Sequence, residues 1–375
     1  MVVYSKDIAA DICDFIKKES PDSIFILCDE NTERLCLPFL QGTAWMESGE
    51  KMVNSEEIIT DSGKTVIKSE EVTMNSVKTI TIPAGDIHKT TESLIYVWQK
   101  LSEGGATRHS LLINLGGGMI TDLGGFAAAT FKRGIRFINV PTTLLSMVDA
   151  AVGGKTGINF NGLKNEVGVF QESCGVIVNT CFLKTLDHEN LCSGYAEMLK
   201  HALLSDRDLW LRHLQFDLTA PNLGLLQELV AASIHVKEHI VEQDPHEKGL
   251  RKALNLGHTI GHAIESTAME KGRPMLHGYA VAYGLVAELF LSHVQKDLPI
   301  DVMRQTVNYI RENYGRCDVF TCQDYERLYE LLLHDKKNVG NHILFTLLSD
   351  IGGIEVNQEV KKALVFEAFD FLREG

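Results

Sequence analysis

The sequence predicts an α/β fold: a Rossmann-like, mostly parallel sheet in an N-terminal domain, residues 1–176, followed by an α-helical C-terminal domain, residues 177–375. Three observations carry that prediction. Apolar runs bounded by turn-forming residues alternate with helical spacing through the first half. The string SLLINLGGGMITDLGG passes from a buried-type strand through three glycines into a helix. After about Ile177 strand-like runs become scarce and apolar residues recur at helical intervals.

The elements follow in order. A helical opening stretch leads to the buried-strand run SIFILCDENT. Residues from about 42 to 78 are polar and irregular, with neither alternation nor helical spacing. Residues 43–77 read as a peripheral insert of weak hairpin character, because long structureless loops are uncommon in compact domains. VKTITIPAGD alternates like a half-buried strand, and TESLIYVWQKLSEG is helical. The helix after the glycines is expected to open near Thr121 and Asp122, and IRFINVPTT supplies another strand. In the second half GYAEMLKHALL, LLQELVAASIHVKEHIVEQ, KALNLGHTIGHAIESTAM and GYAVAYGLVAELFLSHV all carry helical spacing.

Composition narrows the function classes. The 375 residues have room for two domains, and 45% hydrophobic with 23% charged content is ordinary for a chain with a real core. No apolar run approaches the length needed to span a bilayer, and the N-terminus mixes charges into its apolar positions, so neither a membrane span nor an export signal is expected. Eight cysteines without a CxxC pair read as free thiols in the reducing cytoplasm. A formal charge of −14 argues against nucleic acid and membrane surfaces, which call for a basic face. A small anionic substrate remains compatible where cations gather locally.

Three constellations bear chemistry. Strand, Gly116-Gly117-Gly118 and helix together make an anion site, because free amides at a helix start point at a pyrophosphate. The spacing is not GxGxxG, and such turns also serve packing alone. VDAAVGGKTGINFNGLKN holds Asp149, Lys155, Lys164 and Asn165 on a glycine-rich loop suited to phosphate or carboxylate, though a solvated loop carries lysines too. Glu197 lies one turn before Lys200, His258 and His262 are spaced i, i+4, and His277 opens the next helix. Carboxylate and imidazole ligands suit zinc with a position left open for substrate. The pair echoes HExxH without its glutamate, which excludes a zinc-peptidase reading; spacing does not separate His258 from His262.

With these strings assembled, the chain resembles the 3-dehydroquinate synthase family. GGGMITDLGGFAAATFKRGIRFINVPTTLLSMVDAAVGGKTGIN, KNEVGVF, GYAEMLKHAL and RKALNLGHTIGHAIE carry the resemblance, which is dense from Ile82 to Val286 and continues to the DKKN box. It implies an NAD-binding first domain and a metal- and substrate-binding second domain. It implies one divalent ion, zinc or cobalt, on Glu197, His258 and His277, with His262 on substrate instead. NAD is expected on Gly116, Gly117, Gly118, Asp122, Thr142, Thr143 and Thr185, with Asp29, Asp86 and Lys89 as further contacts. The family more often has Glu at the position of Asp86, so one ribose contact is expected to be weaker. Asp149, Lys155, Lys164, Asn165, Lys200, Lys237, Arg251, Asn255, His262 and one of Lys336 and Lys337 are the implied substrate pocket, with Asp149, Lys155 and Lys164 touching the dinucleotide as well. Asp149, Lys155, Lys200 and His262 are the implied catalytic group. Arg133 is implied to reach the substrate phosphate of a neighbouring subunit, hence a homodimer.

The activity so implied is a carbon–oxygen lyase of the shikimate pathway to chorismate and aromatic amino acids. It converts a phosphorylated seven-carbon keto acid by transient oxidation, phosphate elimination, reduction and intramolecular aldol closure. His262 is the candidate for proton exchange and Lys155 for enolate charge. Competing readings are another sugar phosphate cyclase, a metal-dependent polyol or alcohol dehydrogenase of the same architecture, and an inactive NAD-binding regulator.

Overall fold

Buried at every position, IFILCD and LLINLG form two inner strands of a six-stranded, wholly parallel sheet. Continuous apolar strands of this kind belong to sheets covered on both faces. The computed structural model, which describes residues 1–43, 45–46, 51–59, 65–73, 77–161, 163–333 and 343–374, divides into two units, Met1–Thr185 and Leu186–Gly375.

The first unit runs β1 (Val2–Tyr4), α1 (Ile8–Glu19), β2 (Ile24–Asp29), α2 (Glu30–Leu35), β3 (Lys51–Ile59), β4 (Thr65–Thr73), β5 (Lys78–Ile82), α3 (Thr91–Glu103), β6 (Leu111–Gly116), α4 (Gly118–Thr130), β7 (Arg136–Pro141), β8 (Lys155–Phe160), β9 (Leu163–Phe170) and β10 (Gly175–Val178). The sheet order is β1-β10-β7-β6-β2-β5, every neighbouring pair parallel. From β2 the chain steps outward to β5 and then returns to the other side of β2 as β6. The order reverses between β2 and β6, and open α/β sheets bind ligands outside the carboxyl ends of strands at such a switch point. Asp29 closes β2 there and Gly116 closes β6. One face of the sheet packs Phe25, Leu27, Leu112 and Phe137 against Leu94, Val97 and Leu101 of α3 and Leu123 and Ala127 of α4.

Three sequence expectations shift. The unit ends at Thr185 rather than 176, because Gly175–Val178 is itself a sheet strand, paired with β1 and β7. The helix α4 starts at Gly118 rather than near Thr121, since Gly117 adopts an extended conformation that serves as its N-cap. The lysine-bearing glycine-rich segment is an antiparallel hairpin, β8 with β9, rather than a loop. Within the 43–77 insert, β3 and β4 form a separate antiparallel hairpin.

The second unit holds α5 (His188–Leu203), α6 (Arg207–Leu214), α7 (Leu223–Gln243), α8 (His258–Glu270), α9 (His277–Lys296), α10 (Ile300–Tyr314), α11 (Tyr325–Leu333), the antiparallel hairpin β11 (Leu344–Asp350) with β12 (Gly353–Glu359), and α12 (Lys362–Glu374). Among the described residues no helix is long and apolar enough to cross a membrane. Its centre is α5, buried continuously from Leu191 to Leu203, and the more apolar α9. Such helices have no polar face to spare, so their few charged residues are bought at a desolvation cost and call for partners.

Polar groups in this core are mostly satisfied. Trp210 Nε1 donates to Thr306 Oγ1 at 2.9 Å, and His213 Nδ1 meets the Tyr195 hydroxyl at 2.9 Å. His213 is fully buried, its Nε2 has no hydrogen-bond partner among the described residues, and burial, aided by the Arg212 charge, pushes it down to about 3. The native state thus keeps the imidazole neutral while the unfolded chain protonates it near its ordinary value. Stability is complete above about pH 6.5 and falls as pH drops toward 3. Between pH 6.5 and 5 this one group is expected to cost about 2 kcal/mol. Urea unfolding at those two pH values should show that loss in the wild type and a clearly smaller one in His213→Leu; equal losses would refute it.

Candidate active site

In the first unit the predicted cofactor residues gather around the glycine turn. Gly117 caps α4 without a side chain, leaving the first-turn amides of a 13-residue helix unpartnered within the helix. A Cβ on Gly117 would lie 3.1 Å from Thr143 Cγ2, so glycine lets the segment after β7 close on the turn. Thr142 N–H donates to Gly116 O at 3.0 Å, and Ser146 N–H donates to Thr143 Oγ1 at 3.2 Å. The following residues, Ser146–Ala150, form a π-turn that carries Asp149, an irregularity common at functional sites. Asn139 Nδ2 donates to Ala151 O at 3.4 Å and holds that turn to β7.

A second knot of polar residues joins the start of α3 to the β8–β9 hairpin. Lys89, 3% exposed, pairs with the Asp122 carboxylate and donates to Asn165 Oδ1 at 2.5 Å. Asn159 donates to Asp86 Oδ2 at 3.3 Å and accepts from Asn165 N–H at 2.9 Å, while Lys164 lies 3.6 Å from Asp86. Asp86, Lys89, Asp122, Lys164 and Asn165 are therefore one cluster. Lys155 is exposed at the head of β8, after Gly153 and Gly154 with φ of 101° and 69°. Asp29 has a structural task, its Oδ1 accepting from Asn31 and Thr32 N–H at 2.9 Å to cap α2. Thr185 bonds Phe182 O at 2.8 Å. Arg133 is exposed on a turn where Lys132, Arg133 and Gly134 all have positive φ, at 52°, 69° and 112°.

In the second unit three helices meet backbone to backbone. A Cβ on Gly278 would lie 1.8 Å from Ser193 O of α5, and one on Gly284 would lie 1.9 Å from Gly257 O before α8. These contacts draw the start of α9 onto α5 and the start of α8 onto α9. Glu197, His258 and His277 are thereby brought together. His258 Nε2 lies 3.1 Å and His277 Nε2 lies 3.4 Å from the same oxygen, Glu197 Oε1. Lys200 pairs with the other oxygen, and both members of that pair are buried.

Both rings are held from behind. His258 Nδ1 faces Leu256 O at 3.1 Å, and His277 Nδ1 faces Glu265 Oε2 at 3.3 Å. Each Nδ1 is thereby engaged, and each Nε2 turns toward Glu197 Oε1. Two ring nitrogens and a carboxylate oxygen converging in a buried site form a set that a shared proton or a cation can join. Burial alone would raise Glu197, but Lys200 and then His258 hold it well below the usual carboxylate range. Burial pushes His258 down to about 4 in spite of Glu197. It also pulls on His277, but the bonds to Glu197 and Glu265 raise that ring to about 10. Among the described residues neither Glu197 oxygen has a hydrogen-bond partner beyond these close contacts with Lys200, His258 and His277. Ligands about 2.05 Å from a tetrahedral ion stand about 3.3 Å apart, so these three groups fit a divalent metal. His262 lies beside them, its ring centroid 5.4 Å from that of His258 and 5.8 Å from that of His277. The three imidazoles alone also satisfy metal-ligand proximity.

The remaining predicted cations are spread over this unit. Lys237 is buried on α7, and Arg251 and Asn255 stand on the short turn Leu250–Asn255 just before α8. Arg251 donates to Pro245 O at 2.7 Å and Asn255 to Glu247 Oε1 at 3.3 Å. Lys336 and Lys337 lie outside the described residues. Sequence reasoning missed Glu265, Asn159 and Glu288. A signal existed for Glu265, which is spaced i+7 from His258 and so shares its helix face. Asn159 had none.

The fold is shared with two solved synthases. One is 2-deoxy-scyllo-inosose synthase complexed with carbaglucose-6-phosphate, NAD+ and Co2+, with a TM-score of 0.80, 20% identity, and coverage of 100% of this chain and 96% of that one. The other is ValA, the 2-epi-5-epi-valiolone synthase of Streptomyces hygroscopicus subsp. jinggangensis 5008 with NAD+ and Zn2+ bound, with a TM-score of 0.78, 22% identity, and coverage of 99% and 96%. In sequence, 3-dehydroquinate synthase N-terminal and C-terminal family models match residues 79–193 and 194–338. The 3-dehydroquinate synthase of Parabacteroides distasonis is 48% identical over 374 residues, covering 100% of this chain and 98% of that protein. The chain belongs to the 3-dehydroquinate synthase family, and it is an enzyme of the shikimate pathway.

Proposed function

We propose that this chain converts 3-deoxy-D-arabino-heptulosonate 7-phosphate to 3-dehydroquinate and phosphate in the cytoplasm, using NAD and one divalent ion. The observation that carries the proposal is the convergence of two imidazole nitrogens on one oxygen of the buried Glu197 carboxylate. All eight cysteines are free thiols, which suits a reducing compartment.

Glu197, His258 and His277 would hold the ion. Bound there, a zinc or cobalt ion would polarise the substrate oxygen as a Lewis acid. Gly116, Gly117, Gly118, Thr142 and Thr143, with the free amides that open α4, would hold NAD, which supplies reversible hydride transfer. Lys89 and Asp122, already paired, would frame that site. Asp29, capping α2 at the switch point, and Asp86 and Thr185 would complete it. Lys200, paired with one oxygen of Glu197, would leave the other to the ion. His262 exchanges the proton of the hydroxyl being oxidised. Lys155, Lys164, Asn165, Lys237, Arg251, Asn255 and one of Lys336 and Lys337 supply the positive field and donors that a carboxylate and a phosphate need in an acidic chain. Lys155 and Asp149 flank the glycines before β8, with the lysine opposite developing enolate charge. The test is phosphate release with catalytic NAD+ and added Zn2+. Phosphate should appear stoichiometrically with product and no NADH should accumulate; NADH accumulating with turnover would identify a dehydrogenase instead.

The ligand assignment has its own check. Alanine at Glu197, His258 or His277 is expected to abolish metal retention after dialysis. His262→Ala should keep the ion and lose turnover. If His262→Ala loses metal as completely as His258→Ala, the assignment is wrong.

A homodimer completes the reading. Arg133 is exposed on a turn of positive-φ residues, and arginine's planar fork suits two phosphate oxygens at once. The hairpin strand β9 exposes Leu163, Val167, Val169 and Phe170, apolar residues that a second copy would cover. With Arg133 donated to the neighbouring subunit, Arg133→Ala should lose roughly ten- to a hundred-fold in rate. Mixing Arg133→Ala with His258→Ala, each impaired alone, should restore activity through one intact site per mixed dimer. No recovery in subunits that demonstrably exchange would assign Arg133 to its own subunit.

A further inference from the structure

We propose that Glu288 is a positioning residue for His258: from α9 it holds the turn that aims this imidazole. The inference rests on the metal reading of Glu197, His258 and His277. Glu288 is the acid in the apolar string LVAELFLS and is fully buried. A carboxylate in such a place is costly unless its oxygens are engaged. They are: Oε2 accepts from Gly257 N–H at 2.6 Å and Oε1 accepts from Ile260 N–H at 3.0 Å.

Those two amides bracket His258. The N-cap of α8 is Gly257, left-handed at φ 78°, which provides no side chain to bond the helix start. A Cβ there would lie 2.8 Å from Leu285 Cγ and 3.0 Å from Val281 O, so a capping serine or aspartate has no room. Glu288 supplies the missing acceptor from the neighbouring helix. His258, the first residue of α8, has its ring set by the 3.1 Å contact of Nδ1 with Leu256 O, the carbonyl of the peptide unit that Glu288 grips at Gly257 N–H. The direction of Nε2 therefore follows from where Glu288 holds that peptide.

The arrangement is reciprocal. His277 stands on α9 and its Nδ1 is braced by Glu265 of α8. His258 stands on α8 and its turn is braced by Glu288 of α9. Each helix orients the other's ligand with a buried carboxylate, so neither ring is set by its own helix alone. Groups that orient metal ligands typically change affinity ten- to a hundred-fold when removed.

The test uses Glu288→Gln, which keeps size and one acceptor but turns a donor toward the second amide. Ser292→Ala is the control for general weakening of α9. Ser292 lies one turn further along, donates to Glu288 O at 2.7 Å and accepts from Leu348 N–H at 3.0 Å, with neither bond reaching α8. Zinc affinity is read by chelator competition, and the visible absorption of the cobalt-loaded protein reports the ligand geometry. The proposal expects Glu288→Gln to weaken zinc binding roughly ten- to a hundred-fold and to alter the cobalt bands. Ser292→Ala should lower the unfolding temperature while leaving affinity and bands as in the wild type. Glu288→Asp, which keeps the charge but withdraws it by one methylene, gives the same reading should the glutamine variant not fold. Folded Glu288 variants with wild-type affinity and bands overturn the proposal, as does an equal loss in Ser292→Ala. Wild-type protein that retains no divalent ion overturns the metal reading beneath it, a separate and earlier outcome.

Discussion

The second unit depends on a buried carboxylate that its own surroundings leave incompletely satisfied. Glu197 is wholly buried on α5, a helix buried continuously from Leu191 to Leu203, with Lys200 on one oxygen and two imidazole nitrogens on the other. Lys200 engages one carboxylate oxygen and leaves the other facing two ring nitrogens. The backbone contacts at Gly278 and Gly284 bring α5, α8 and α9 close enough for that oxygen and those nitrogens to stand 3.1 and 3.4 Å apart. Side chains larger than hydrogen at those two positions would separate the helices and with them the three groups. The packing of the helical unit thus sets the spacing of a carboxylate and two imidazoles that the proposed metal reading requires.

The first unit is governed by topology instead. Its wholly parallel sheet reverses order between β2 and β6, and the glycine turn follows directly on β6. Helix amides, the Asp149 turn and the Lys89–Asp122 pair are all fixed by strands that end on this side of the sheet. An anionic cofactor there needs no net positive chain, which reconciles nucleotide chemistry with a formal charge of −14.

Much of this was legible in the residues, for different reasons in different places. β2 and β6 announce themselves because strands covered on both faces are unbroken apolar runs. The four residues of β10 are too few for any periodicity, which is why the division between units moved from 176 to 185. The β8–β9 hairpin hid behind glycines and lysines that read equally well as loop. Spacing put His258 and His262 on one helix face and could not rank them; the resemblance singled out His258. The structure adds two distances to Glu197 Oε1, one from His258 and one from His277. Glu265 shares the helix face of His258, but Glu288 acts across helices, and contacts between elements leave no period in a single sequence.

In the proposed site one carboxylate and two imidazoles, not three imidazoles, would make the metal shell. X-ray absorption of the zinc-loaded wild-type protein counts imidazoles directly, through the outer-ring scattering that each adds. The account predicts two imidazoles, with the remaining near neighbours oxygen at about 2.0–2.2 Å. Three imidazoles on the ion would bring His262 into the shell and contradict it.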